Sequence, residues 1–164
     1  MLFLQQFSEK KIPAMGKIEI REANEKEKDL AARLLAESEP WVTLHITSEQ
    51  CRKNCHDPEF LLYMAYCGSK PSGIMLLDPR GVAGSPYLKS LAVYPEFRGQ
   101  GVGAALLSFA EELFRSRSKH MFLCVSSFNI RAQKFYKNYG YEEIGELKNY
   151  IIEGESEILM HKLI

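Results

Sequence analysis

Apolar residues recur at Val102, Ala105, Leu106, Phe109, Ala110, Leu113 and Phe114, spaced three and four apart. They form one stripe of a helix that faces a core. Residues 18–21 alternate apolar and charged, which predicts a first strand with one buried face. Leu30, Ala31, Leu34 and Leu35 make the stripe of a helix that Asn24 can cap, with Glu27 three residues on completing the cap and Pro40 stopping the helix. An irregular segment, 41–45, leads to a second short helix over 48–54, with Ser48 as its cap. Residues 60–66 and 73–77 are apolar runs separated by Gly68-Ser69-Lys70-Pro71-Ser72, a hairpin with turn chemistry between its strands. A looser turn over 78–86 leads into a strand over 87–93. After the long helix come a buried strand at 121–126, a helix from Asn129 that Gly140 ends, and two last strands at 141–145 and 157–163. This order predicts an α/β (α+β) fold on a mixed sheet.

Composition narrows the class. A chain of 164 residues suits one domain. That domain is expected to span 15–164, because Met15-Gly16-Lys17-Ile18 looks like a natural start, and residues 1–14 are expected to be a poorly ordered extension. With 46% hydrophobic and 26% charged residues the disordered and collagen-like classes drop out. Lys plus Arg equals Asp plus Glu at 21 each, so no bulk charge points to nucleic acid or to an anionic membrane. The apolar residues 1–7 lack the basic region and cleavage site of a secretory signal, and no apolar run approaches the roughly 18 residues of a membrane span. A cytoplasmic protein is expected, in which Cys51, Cys55, Cys67 and Cys124 are free thiols. Cys51, Cys55 and His56 have a metal-like spacing, but no second Cys/His pair lies nearby, so no metal is expected.

The candidate chemistry begins before the long helix. Glycines at 99, 101 and 103 let the backbone turn tightly and leave the amides open to a ligand. A helix N-terminus adds unpaired N–H groups and partial positive charge, and Arg98 adds a full charge, so the stretch reads as a cradle for a diphosphate. A tight strand-to-helix turn with no ligand is the other reading of these letters. They also satisfy the Gly-x-Gly-x-x-Ala dinucleotide pattern, but that fold needs an acidic residue about 20 positions on. This chain has Lys119-His120 and then an apolar strand. No Gly-Lys-Ser/Thr is present, which excludes a nucleotide-hydrolysing loop.

Taken whole, Leu-Ala-Val-x-Pro-x-x-Arg-Gly-x-Gly-x-Gly resembles the acyl-CoA loop of the GNAT family of N-acetyltransferases. Arg98, Gly101 and Gly103 match its Gln/Arg-x-x-Gly-x-Gly/Ala pattern. A second stretch, Asn129 to Tyr141, resembles the family's Asn-x-x-Ala-x-x-Phe/Leu-Tyr-x-x-x-Gly-Phe/Tyr signature, with Asn129, Ala132 and Tyr136 on one helix face. The resemblance implies the GNAT fold, acetyl-CoA as co-substrate, and direct acetyl transfer to a primary amine. It implies that Arg98, Gly99, Gln100, Gly101, Val102, Gly103 and Ala104 hold the diphosphate. Leu91, Ala92 and Val93 would offer backbone groups to the pantetheine arm and the thioester oxygen. Asn129, on the face it shares with Ala132, would bond the pantetheine, and Tyr136 would serve as general acid for the departing sulfur. Trp41, in the linker between the first two helices, would line the acceptor groove, although the single tryptophan beside a proline also reads as a core anchor.

A general base is harder to find. Ribosomal-protein alanine acetyltransferases, which the chain partly resembles, carry Leu-Glu-Val-Arg where this chain reads Leu123-Cys124-Val125-Ser126, so Cys124 stands in place of their glutamate. The strand before the cradle, Tyr87-Leu88-Lys89-Ser90, holds no carboxylate either. An acetyl-enzyme on Cys124 is conceivable, but a buried strand thiol with no local histidine is ordinarily inert. The alternatives are water, Glu49 or His45.

A site with no obvious base suits an amine of low pKa. An α-amine of pKa about 7.7 to 8.0 is neutral in roughly one molecule in ten at pH 7, a lysine of about 10.4 in roughly one in 2,500. The segment 149–160 resembles the Tyr-Tyr-x-x-Gly-Glu-Asp-Ala-x-x-Met of protein N-terminal acetyltransferases, agreeing at Tyr150 and Gly154-Glu155 and departing at Ile151 and Ser156-Glu157. The expected acceptor is therefore a protein N-terminal amine. A small-molecule amine or amino acid is the alternative if Glu153, Glu155 and Glu157 ring the groove, and a non-catalytic acyl-CoA sensor is a third reading. No nucleic-acid or membrane partner is expected. In the family exposed edge strands often pair between subunits, which makes a homodimer one expected assembly.

Overall fold

Alternation at the start of the chain places β1 (Ile18–Glu22) against β2 (Leu61–Cys67) in a computed structural model that describes residues 17–164. The expected extension, 1–14, lies outside the described residues. Between these strands run α1 (Glu25–Ala36) and α2 (Ser48–His56). Then follow β3 (Lys70–Val82), β4 (Ser85–Val93), α3 (Val102–Phe114), β5 (His120–Ser126), α4 (Ile130–Asn138), β6 (Glu142–Lys148) and β7 (Ser156–Leu163). The seven strands form one mixed sheet in the order β1-β2-β3-β4-β5-β7-β6.

Local chemistry sets the boundaries. Asn24 caps α1 as expected: its side chain accepts from the amides of Lys26 and Glu27, and Glu27 reaches back to the Asn24 amide at 2.8 Å. α2 is capped one residue earlier than expected. Thr47 accepts from the Gln50 amide and Gln50 accepts from the Thr47 amide at 2.8 Å, a reciprocal pair that Ser48 could not make with its own spacing. The turn expected over 78–86 is also shorter. β3 carries on to Val82, with its pairing to β4 interrupted after Asp78, and the reversal is confined to Ala83 and Gly84, both at positive φ.

Each face of the sheet has its own core. Along β3, Met75 and Leu77 point to α3, where Val102, Leu106, Leu107, Ala110 and Phe114 are buried. Ile74 and Leu76 point the other way and pack with Ala31 and Leu35 of α1. The Cys51 and Cys55 thiols fill that second core at 1% and 2% exposure, while His56 turns to Asp29 at 2.8 Å. Burial pushes the Cys55 thiol up to about 12. The metal-like spacing is thus the spacing of two core thiols one helical turn apart.

Glu27 joins α1 to the first hairpin. Its carboxylate accepts from Arg21 at 2.6 and 2.9 Å and from the Tyr66 hydroxyl, and Arg21 lies over the Tyr66 ring. The Arg21 hydrogen bonds, against some burial, hold the carboxyl down to about 2. A depressed carboxyl stabilises the fold above its unfolded value, and that contribution is lost as the pH falls towards 2. Glu27→Gln keeps the cap geometry but loses the charge. We expect it to cost about 1 kcal/mol at pH 7, the pair being partly solvent-screened, and to cost nothing near pH 2, as read from urea unfolding at the two pH values.

Candidate active site

β4 and β5 are the only parallel neighbours among the described strands, and their pairing is short. Tyr87 pairs with Phe122 and Leu88 with Leu123, although β4 runs on to Val93 and β5 to Ser126. The break coincides with a bulge. On the far side of β4 the register steps from Leu77–Leu88 to Leu76–Ser90, leaving Lys89 as an extra residue. A bulge bends its strand away, so beyond it the β5-facing edge at Leu91, Ala92 and Val93 has no strand partner among the described residues. A cleft opens there. Tyr87 and Leu91 of β4, Cys124 and Ser126 of β5, and Asn129, Ala132 and Tyr136 of α4 line it.

The glycine loop lies between β4 and α3. Gly99 and Gly101 adopt φ of +74° and +84°, and a Cβ at either would meet nothing within 4 Å. Glycine is needed there for conformation, not for room. Gly101 caps α3 without a side-chain hydrogen bond, no acidic residue occupies the first turn, and the first intrahelical bond runs from Ala105 to Gly101. The amides of Val102, Gly103 and Ala104 therefore have no partner within the helix. Gly103 departs from the expectation that all three glycines serve the turn. It sits inside the helix, and a Cβ there would come within 3.3 Å of the Phe135 ring, so its smallness lets α3 approach α4. The exposed Arg98 folds back to donate from Nε to the Val93 carbonyl at 3.1 Å. Gln100 donates to the Glu96 carbonyl at 2.7 Å, which ties the loop to the short 3-10 turn Pro95–Phe97.

Asn129 caps α4 through Oδ1, which accepts from the Ala132 amide at 3.2 Å. Asn129 also lines the cleft, and its side-chain NH2 donates to no group among the described residues. Gln133 fastens the helix to the end of β5 by donating to the carbonyls of Ser126 and Ser127. Tyr136 is buried edge-on against Phe135 and Tyr141, with centroids 5.2 and 6.0 Å away. Burial pushes its phenol up, so it stays protonated through neutral pH. Cys124 adjoins the Tyr87 hydroxyl; burial, and less strongly the charge of Glu157, push the thiol up against the hydrogen bond from Tyr87. It is a thiol at neutral pH, not an activated nucleophile.

Trp41 and Tyr150 both line the cleft, with Tyr150 66% exposed and Trp41 also packed against the α1 core. His45 and Glu49 do not line it; both are exposed at the entry to α2. Of the three C-terminal glutamates only Glu157 lines the cleft, since Glu155 is taken by the Ser127 hydroxyl at 2.9 Å and Glu153 lies out on the loop. The acidic ring that would favour a small cationic acceptor is therefore not formed. Sequence reasoning missed Tyr87 and Ser126, whose place depends on where β4 and β5 part. It also gave Glu157 no role beyond the acidic ring, because its place in the cleft depends on the β5–β7 register.

A sequence model of the acetyltransferase (GNAT) family matches residues 18–141. Over 81 residues, 48% of this chain, it is 37% identical to an uncharacterized N-acetyltransferase of Methanocaldococcus jannaschii, covering 52% of that protein. Over 75 residues, 44% of the chain, it is 35% identical to a Bacillus subtilis protein provisionally named as a [ribosomal protein bS18]-alanine N-acetyltransferase, covering 50% of it. The match thus spans about half the length of each curated relative. A solved GNAT family acetyltransferase of Elizabethkingia anophelis, with acetyl-CoA bound, superposes with a TM-score of 0.73 over 90% of this chain and 98% of its own, at 19% identity. No helix among the described residues is long and apolar enough to cross a membrane.

The two kinds of glycine separate by substitution. Gly101→Ala is expected to cost about 1 kcal/mol through its positive φ alone, and Gly103→Ala to be nearly neutral if Phe135 can shift by a few tenths of an ångström. In the double variants with Phe135→Leu, Gly103→Ala should become more favourable while the Gly101→Ala cost stays, as measured by thermal unfolding.

Proposed function

The chain belongs to the GNAT acetyltransferase family, and from that premise we propose that it transfers acetyl from acetyl-CoA to a primary amine, most directly the α-amine of a protein N-terminus. The observation that carries the reading is the cleft where β4 and β5 part, because it joins an open helix N-terminus to a buried, protonated phenol. The residues present fit the co-substrate. The partnerless amides of Val102, Gly103 and Ala104, with Arg98 beside them, suit a diphosphate. The free edge at Leu91, Ala92 and Val93 and the side-chain amide of Asn129 suit the amide-bearing pantetheine arm. When bound, acetyl-CoA supplies an acetyl group activated as a thioester.

The chain's own groups then have separate tasks. Backbone amides on the β4 edge would hold the carbonyl oxygen. Tyr136, kept protonated by burial, gives its proton to the departing sulfur. Trp41 and Tyr150 flank the acceptor from two different loops, as a chain end entering from solvent requires. The Bacillus subtilis relative, whose name gives a protein alanine as its acceptor, supports the same substrate class. A small-molecule amine is the second reading, favoured by Glu39 and Glu157, two carboxylates that line the cleft and would attract a cation.

The test is CoA thiol release from acetyl-CoA with peptides bearing free or blocked N-termini, beside a panel of amino acids and polyamines. Release confined to free N-termini supports the first reading, and release with small amines the second. Binding of acetyl-CoA with no release from any amine would replace both with an acyl-CoA sensor. Tyr136→Phe is expected to lower kcat about 100-fold with CoA affinity kept. Arg98→Ala should weaken CoA binding about tenfold, read by calorimetry, and leave kcat at saturation nearly unchanged.

A further inference from the structure

A carboxylate in the cleft has no structural partner of opposite charge. Glu157, near the start of β7, is 7% exposed and lines the cleft. Its Cα pairs with Ser126 across the β5–β7 ladder, and Ser126 donates to it from Oγ at 2.6 Å. Cys124 lies two residues back along β5 and so on the same sheet face, which makes it the diagonal neighbour of Glu157. Among the described residues no cation pairs with the Glu157 carboxylate. The titratable groups that share its lining are the phenols of Tyr87, Tyr136 and Tyr150 and the Cys124 thiol; burial pushes Tyr87, Tyr136 and Cys124 up, which keeps those three neutral at pH 7. Two charged groups share the lining: Glu39, which is exposed, and Lys89, whose ammonium sits 4.4 Å from the Phe60 ring centroid. Burial pushes the Glu157 carboxyl up, and the Ser126 hydrogen bond opposes that rise.

An anion held in a cleft with no cation costs stability, and a structural role would ordinarily be filled by an apolar side chain. We propose that Glu157, oriented by Ser126, is the general base that takes a proton from the incoming amine. The inference rests on the acetyl-transfer reading above. The ammonium gives one proton to the Glu157 carboxylate, and its freed lone pair forms the C–N bond to the acetyl carbonyl carbon. The C–S bond breaks with its electron pair on sulfur, which takes the Tyr136 hydroxyl proton. The second surplus N–H proton restores Tyr136, and Glu157 releases its proton to solvent. One amide, one free thiol and one solvent proton result from each ammonium and thioester.

Two measurements test this. In the ligand-free protein labelled with 13C-carboxyl glutamate, the Glu157 resonance, identified by its loss in Glu157→Gln, should titrate above the ordinary value of about 4.3. In Ser126→Ala it should titrate higher still, since the lost hydrogen bond favoured the charged form. In steady-state assays with a free N-terminal peptide, the acidic limb of wild-type kcat should follow that titration and move up in Ser126→Ala. Glu157→Gln should lose about 100-fold in kcat near pH 7, with acetyl-CoA affinity unchanged and a residual rate that climbs about tenfold per pH unit. Its melting temperature at pH 8 should be no lower than wild type, because a buried charge has been removed. Unchanged kcat and pH profile in Glu157→Gln, or a Glu157 resonance with an ordinary titration, would overturn the proposal while leaving acetyl transfer intact. A wild-type protein that binds acetyl-CoA and acetylates no amine would overturn acetyl transfer itself and the proposal with it.

Discussion

Two rungs of parallel ladder, Tyr87 with Phe122 and Leu88 with Leu123, join the halves of this sheet, and the site exists because the ladder stops there. The bulge at Lys89 turns β4 away just after the second rung. β4 and β5 run parallel, so both carboxyl ends lie on the open side of the split, and the helix that follows each strand begins there. The glycine loop before α3 and the Asn129 cap of α4 are brought to one cleft by that geometry, although they stand about 30 positions apart in the chain. Ligands in open α/β sheets gather at such a point for the same reason.

The halves are then held at a fixed opening by packing. α3 buries five apolar side chains against the sheet, and the lack of a Cβ at Gly103 lets the Phe135 ring of α4 come close. A further tie runs from α3 to β7, where Lys162 meets both oxygens of the buried Glu111 at 2.8 Å. Among the described residues Glu111 and Glu157 are the buried acids, and because the first is paired with a cation and the second is not, they differ in kind. One is neutralised structure and the other is an uncompensated charge facing the cleft.

Much of this was readable in the chain. Helical periods, the Asn24 cap and the glycine loop are local signals, and each lies within a dozen residues of what it specifies. The two resemblance segments likewise marked Asn129, Ala132 and Tyr136, which the structure brings to one cleft wall. Errors arose where the deciding partner was near but ambiguous, as with Thr47 and Ser48, or where a strand outran its apolar core, as in the far half of β3. Glu157 could not be placed by any local rule. Shifting β7 by one residue would send its side chain to the other face, and the register is set by seven pairings with β5. The departure at Ser156-Glu157 from the resembling segment was visible, but its meaning depended on Cys124 being the neighbour.

The alternation along β3 has a consequence for descent with change. Ile74 and Leu76 serve the core of α1 and α2, against which Trp41 of the cleft also packs, while Met75 and Leu77 serve α3, the helix that follows the glycine loop. Among the described residues no buried side chain is shared between the two cores. Drift in α1, α2 and the loop that holds Trp41 can therefore reshape one wall of the cleft while the packing of α3 beneath the glycine loop stays as it was, and Ala92 of β4 is where such drift reaches the split edge. A lineage built on this sheet can change that wall one mutation at a time and keep the glycine loop and its helix throughout.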